Sequence, residues 1–219
     1  YHRLRNDAAQ PEAVSRMSAY LHYGCISVFR VAQDAWRHGG EGAQKFLDEL
    51  LVWRELSHHF CYHSDELESL AALPGWASES LTAHEADPRE VTFDWETLAR
   101  AQTGNPLWDL AQRSLLRHGE LHNNLRMTWG KALLPWTSRA NRALKLLIDL
   151  NHRYALDGSD PNSYGGLLWT LGLFDRPFPD QAVTGRLRTR STRQHARRLD
   201  LTRYRARVTR PASGSPQRI

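Results

Sequence analysis

Apolar residues return along this chain every three to four positions and hardly anywhere every second one. That spacing predicts helices, because 3.6 residues per turn bring positions i, i+3, i+4 and i+7 to one face. The longest stripe is Phe46, Leu47, Leu50, Leu51 and Leu56, in a segment from about Gly42 to His63. Further helices are expected at 94–103, 107–118, 121–134, 138–155 and 161–172, several introduced by Ser, Asp or Asn and closed by Gly. Ser27 is placed to cap another that stops at Gly39-Gly40. With no alternating β-branched runs and no internal repeat, the expected fold class is all-α, one multi-helix domain with irregular loops.

Composition narrows the function classes. At 219 residues and 41% hydrophobic content the chain can bury a sizeable core. No apolar run approaches the roughly 18 residues of a membrane span, and no signal-peptide pattern opens the chain, so a soluble, cytoplasmic monomer is expected, without a membrane partner. Cys25 and Cys61 are too few for a disulfide framework or a cysteine zinc site. "HHFCYHSDE" sets His59, Cys61 and His63 at metal-like spacing, but on a helix expected to serve packing, and "HEADP" around His84 lacks the second His of a zinc helix. No metal is expected. The net charge of +5 hides an asymmetry: residues 186–219 hold eleven Arg against the single acid Asp200. Such a basic end either neutralises nucleic-acid phosphates or is a solvated terminus, and the closing "RPASGSPQRI" has the composition of a disordered one. The chain opens at Tyr1 inside sequence that already looks functional, so a preceding part is expected.

The stretch "GELHNNLRMTWGKALLPW", residues 119–136, concentrates the candidate chemistry. Trp129 and Trp136 are i and i+7, about 10.5 Å apart along a helix axis. Trp108 lies on the preceding helix, which the turn at Gly119 folds back. Three indoles in a row either pack a core or pass electrons, and spacing leaves both open. Asn123, Arg126 and Trp129 share a face, and an inward Arg needs an acceptor. "LDGSDPNSYGG" supplies Asp157 for a pair with Arg126, either at a ligand site or as an ordinary structural ion pair.

Four blocks, "SRMSAYLHYG", "ELLVWREL", "LHNNLRM" and "DGSDPNSYGG", stand in an order that resembles the flavin-binding domain of the photolyase and cryptochrome family over residues 1–200, most similar to its class II cyclobutane dimer photolyases. The resemblance implies FAD as cofactor. It implies Tyr1 at the flavin phosphates and the turn of Ser15, Arg16, Met17 and Ser18 at the pyrophosphate, with Val14 where relatives carry Thr. It implies the Arg126–Asp157 pair beside the flavin ring, with Asn123, Gly158, Ser159 and Asn162 also at the cofactor. Asn151 matches the class II Asn near flavin N5, while Asn162 sits near its class I counterpart. The class I relay Trp positions hold Leu167 and Asn141 here, whereas the class II segments "LWDLAQ", "MTWGK" and "LLPW" carry Trp108, Trp129 and Trp136 as the relay.

By the same resemblance Glu49, Trp53, Trp169, Asn123 and Met127 line a lesion pocket, and Arg5, Asn6 and Arg188 reach DNA. Two Trp walls would stack a flipped dimer, and Glu49 would accept from a base N–H or, if protonated, donate to a carbonyl; its bland alternative is a solvated helix-face carboxylate. The (6-4) lesion enzymes show a His-rich block where this chain has "HNNLRM", which favours the cyclobutane dimer. The implied function is light-driven DNA repair by a deoxyribodipyrimidine photolyase: photoexcited reduced FAD passes an electron to a flipped dimer, with Glu49, Asn151, Arg126 and Asp157 catalytic and damaged DNA as partner. Residues 1–200 would be the catalytic domain and 201–219 a basic tail, with an N-terminal α/β antenna domain outside this chain. A flavin photoreceptor without repair, and a flavin-free DNA-binding helical domain driven by the Arg-rich end, stay open as rivals.

Overall fold

In the computed structural model, which describes residues 1–211, every regular element among the described residues is helical. In chain order these are α1 (Ser18–His22), α2 (Val28–His38), α3 (Gly40–Leu47), α4 (Arg54–Tyr62), α5 (Gly75–Ala83), α6 (Trp95–Ala99), α7 (Pro106–His118), α8 (Asn123–Leu133), α9 (Ala140–Tyr154), α10 (Pro161–Trp169), α11 (Thr192–Arg198) and α12 (Leu201–Thr209). The fold is all-α, as the periodicity predicts. Among the described residues no helix is long and apolar enough to cross a membrane.

The core is built by α7, α8 and α9, whose inward faces bury Leu107, Leu115, Leu125, Leu133, Leu144 and Leu147. Each such side chain contributes about 1.5–3 kcal/mol on leaving water. Their ends are set by local chemistry. Asn105 accepts the Trp108 N–H at the start of α7, with Pro106 in the first turn, and Gly119 closes that helix at φ +64°. A side chain at Gly119 would also strike Leu156, whose Cγ lies 2.6 Å from the position of an added Cβ. The Leu156 N–H in turn donates to the Gly119 carbonyl at 2.8 Å, so the segment after α9 is tied to the α7–α8 turn. That tie carries Asp157 toward α8.

The long amphipathic segment is one rod with an irregularity: α3 runs into a π-helical segment, Asp48–Trp53, and then into α4. The wider π turn re-aims the side chains it carries, and such turns recur at functional sites. At the other end of the site α10 lies against α4 so closely that a Cβ on Gly165 would fall 2.3 Å from Ser57 Oγ.

The expected helix at 94–103 shortens to α6, because Ala101 turns left-handed at φ +56°. A larger departure concerns residues 201–219. Their arginines suggest a basic tail, yet Asp200 caps α12 and Tyr204 and Val208 bury themselves against α7. His118 and Arg117 on α7 reach the carbonyls of Val208 and Thr209 at 3.0 and 3.4 Å. The apolar positions of α12 thus form an inner face that Arg203, Arg205, Arg207 and Arg210 conceal in the sequence, and the helical unit extends through Thr209. The expectation of disorder for the closing stretch falls on residues 212–219, outside the described residues.

Candidate functional site

A cavity of about 520 Å³ opens between the residues before α1, the π segment, the α7–α8 turn, α10 and α12. Its size lies within the range of ligand pockets, about 300–1,000 Å³.

One wall carries the ion pair read from the sequence. Arg126 Nη2 donates to Asp157 at 2.8 and 3.1 Å, and Arg126 Nη1 donates to Ser163 Oγ at 3.2 Å. Arg126 is 6% exposed, so its charge is fixed in place by these contacts and offers little to bulk water. Asn151 stands behind this wall. It is fully buried, donates from Nδ2 to Ser163 Oγ at 2.7 Å, and does not line the cavity. Asn151 does not border the cavity as expected: its Nδ2 is committed to Ser163, while its Oδ1 is buried without a hydrogen-bond partner. Asn162, after the α10 cap, is exposed and does line the cavity.

A second wall is aromatic. Trp53, at the end of the π segment, and Trp169, at the end of α10, stack with ring centroids 5.2 Å apart and planes 13° from parallel. Two separated walls with a base between them are therefore not what this chain has. The close α4–α10 contact at Gly165 presses the two indoles into one double plate that borders the cavity. Glu49, one helical turn before Trp53, is held by Arg5 at 3.0 Å and Lys45 at 2.9 Å. It is not a solvated surface carboxylate: two cations hold it on the cavity wall. Tyr1, Asn6 and Asn123 complete this side, with the Tyr1 ring edge-on to Phe46 at 5.5 Å.

The turn Ser15, Arg16, Met17 and Ser18 forms a third wall, and Arg16 there adopts φ +54°. Five arginines against three carboxylates line the whole cavity. Asp160, which does not line the cavity, compensates Arg54, so the lining keeps a smaller positive excess that still suits phosphate groups, and the buried Arg54 Nε has no partner. Volume, aromatic plate, fixed cation and charge excess all fit a flavin dinucleotide.

Besides Asn151, four residues expected at the cofactor or the substrate do not meet the cavity. Gly158 is buried in its turn, where a Cβ would lie 2.8 Å from His152 Cα, and Ser159 is exposed at φ +64°. Met127 packs beside Gly166 instead of lining the pocket. Arg188 is bound bidentately by Asp175 at 2.9 Å and lies over the Phe178 ring, which occupies its guanidinium elsewhere.

Sequence reading also missed residues that the fold brings in. Arg54 holds Asp160 through bonds of 2.9 and 3.2 Å, with His22 also on that carboxylate. Burial pushes the Asp160 pKa up, but Arg54 and the Asn162 N–H outweigh it and hold the carboxyl below its usual range. An Arg directly after Trp53 on a half-buried helix was the available signal. Glu120, Tyr204 and Arg207 line the cavity from the α7–α8 turn and α12, and nothing local marks them. His122 also lines it, and burial pushes its pKa down to about 4, leaving it neutral.

Beyond the cavity the three relay candidates form a contiguous row. Trp129 and Trp108 stack at 6.0 Å, and Trp108 meets Trp136 edge-on at 5.6 Å. Trp108 and Trp129 are 1% exposed, whereas Trp136 is half-buried. Spatial order is therefore 129, 108, 136, with Trp136 at the solvent end. A second cleft, lined by Arg3, Arg190 and Arg198, shares Asn6 with the cavity.

Comparison with known proteins places this geometry. A family model described as the FAD binding domain of DNA photolyase matches residues 46–156. The chain is 39% identical over its full length to a deoxyribodipyrimidine photo-lyase of Oryza sativa subsp. japonica, covering 44% of that protein. It is 39% identical to one of Methanothermobacter thermautotrophicus, over 93% of this chain and 45% of the relative. It is 31% identical to one of Potorous tridactylus, over 90% and 38%. The chain thus spans less than half the length of these curated relatives. Its fold is shared with a class III photolyase from Agrobacterium tumefaciens, with a TM-score of 0.69 at 22% identity over 95% of this chain and 40% of that one. With the matched residues spanning half of the sequence and containing Arg126, the π segment and the Trp row, the chain belongs to the FAD-binding domain family of the DNA photolyases, and FAD is its cofactor.

Proposed function

We propose that this chain is the catalytic domain of a light-driven DNA repair enzyme that splits cyclobutane pyrimidine dimers, of the class II type. The observation that carries the reading is a single cavity bordered both by the Arg126–Asp157 pair and by the Trp53–Trp169 plate with Glu49 beside it. When bound, FAD supplies a light-absorbing centre that gives and accepts single electrons.

The residues divide the remaining work. Arg126, locked by Asp157 and Ser163, presents a preorganised cation that needs no rearrangement as negative charge develops nearby. The Trp53–Trp169 plate offers one broad aromatic face to bases turned out of the helix. Stacking contributes about 1–3 kcal/mol per base, enough to offset the few kcal/mol that flipping costs. Glu49, anchored by Arg5 and Lys45, accepts a hydrogen bond from a base N–H. Trp136, Trp108 and Trp129 pass an electron inward from the surface, each ring refilled by the next. Arg3, Arg190 and Arg198 in the adjoining cleft contact backbone phosphates, which positions the strand without reading its sequence.

The test is to illuminate the FAD-loaded protein with blue light in the presence of an oligonucleotide carrying one thymine dimer, and to measure restored thymines. Wild-type protein restores them, and Trp53→Ala combined with Trp169→Ala abolishes repair while flavin photoreduction continues. Protein that photoreduces its flavin yet leaves the dimer intact would be a photoreceptor, and this proposal would fail.

A further inference from the structure

We infer that Arg207 of α12 adds a cation to the end of the cavity where the resemblance already puts the Ser15–Ser18 turn at the cofactor pyrophosphate, so that cofactor affinity depends on a helix lying outside the residues matched by the family model. The inference rests on FAD as the occupant and names one more side chain that holds its pyrophosphate.

Both guanidiniums line the cavity, and one carboxylate lies between them. Arg16 Nε donates to Glu120 at 3.0 Å, while Arg207 Nη2 stays 3.6 Å from the same Glu120 oxygen. Glu120 neutralises one of the two cations and is committed to Arg16. Arg207 is left with a long contact to Glu120 and a 3.4 Å bond to the Ala8 carbonyl, although its side chain is only 16% exposed. A cation withdrawn that far from water is costly without a close anion. Burial and the neighbouring Arg16 both push the Arg207 pKa down, the response of a positive charge that lacks its counterion. Arg16 adds a second sign. It is a non-glycine residue at φ +54°, a conformation that persists where surrounding contacts enforce it and that clusters at ligand clamps. Ser15 and Ser18 border the same end and supply hydroxyl donors. Two converging guanidiniums with one shared carboxylate and adjacent hydroxyls match the chemistry of a pyrophosphate, which accepts from several donors and carries two charges.

The competing role is a purely structural clasp, in which Arg16, Glu120 and Arg207 fasten α12 to the turn before α1. The two differ in sign and in ligand dependence. Dissociation constants for FAD and for riboflavin, which has no phosphate, are measured by flavin fluorescence for wild-type protein, Arg207→Gln, Arg207→Lys and Glu120→Gln. With a phosphate subsite, Arg207→Gln weakens FAD binding about tenfold to a hundredfold, as expected for a charged hydrogen bond, and leaves riboflavin unchanged. Arg207→Lys recovers part of the loss. Glu120→Gln strengthens FAD binding, because the competing carboxylate is gone. FAD affinity of the wild type falls with added salt while that of riboflavin does not. A clasp predicts equal losses for both flavins, and a loss in Glu120→Gln as large as in Arg207→Gln; either result overturns the inference. Should Arg207→Gln not fold, the sign of the Glu120→Gln change and the salt dependence decide. Wild-type protein that binds no FAD would overturn the cofactor along with the subsite, whereas normal FAD binding by Arg207→Gln overturns the subsite alone.

Discussion

Arg126 shows how a single side chain ties stability to function here. Its guanidinium satisfies Asp157 and Ser163, and Ser163 Oγ is also the acceptor for the Asn151 amide. Removing the charge leaves Asp157 without its partner in a half-buried turn, and breaking a buried pair on one side costs about 3–5 kcal/mol. Asp157 keeps 17% side-chain exposure, which places Arg126→Met toward the low end. The expected outcome is a urea midpoint lowered accordingly, with FAD affinity lost in parallel; an unchanged midpoint would mean the pair contributes nothing to folding. Histidines give a second prediction. Burial pushes His122 and His195 down to about 4. In the unfolded chain they take up a proton below about pH 6.5, in the folded chain only near 4. The unfolded state therefore binds more protons across that window. Stability is full at neutral pH and falls as pH drops from about 6.5 toward 4, at up to about 1.4 kcal/mol per unit for a fully buried group and less for the more exposed His195. His122→Asn keeps a side-chain acceptor for the cap of α8 and flattens that fall, as urea midpoints between neutral pH and 4 would show. At this scale the Arg126–Asp157 pair was legible, since an inward Arg and a turn Asp are marked by helical phase. The partners of Glu49 were not, because Arg5 meets it across 44 residues of sequence.

At the scale of elements, the decisive contact is α4 against α10. Gly165 lets the helices approach until Ser57 fills the space a Cβ would need, and this approach stacks Trp53 on Trp169. Gly165→Ala forces that contact apart, and overpacking of this kind costs about 1–3 kcal/mol. The strain is relieved by Ser57→Gly in the same chain. A thermal-melt cycle of the two single variants and the double one should give a coupling of opposite sign to the Gly165→Ala loss; purely additive effects would mean the helices do not meet there. Helices α7 to α10 were readable because apolar stripes and caps coincide, at Asn105, Gly119 and Asp160. Their neighbours were not. The π segment leaves no mark in an apolar stripe, since one extra residue in a turn still puts leucines inside. Helix α12 shows only Tyr204 and Val208 as buried positions among arginines, so the charge count outweighed the phase.

The molecule as a whole sets the order of the tryptophans, which no local pattern contains. In sequence the row runs 108, 129, 136, but antiparallel packing of α7 on α8 puts Trp108 in the middle. Its indole N–H donates to the Trp129 carbonyl at 2.9 Å, and Trp129 donates to Gln112 at 3.0 Å, so both buried rings are fixed by hydrogen bonds as well as packing. A relay with this geometry is a chain in which removal of the central ring is the most damaging change. Trp108→Phe opens a gap between Trp129 and the surface, whereas Trp136→Phe removes only the half-buried terminal ring, next to which the Phe93 ring stands edge-on at 5.2 Å. Photoreduction of bound flavin by an external reductant should therefore slow in both variants, and more in Trp108→Phe. Dimer repair by protein whose flavin has been reduced chemically beforehand should stay near wild type in both, because the row lies outside the cavity. Photoreduction as fast in Trp108→Phe as in wild type would show that electrons enter by another route and that these three indoles serve the core alone.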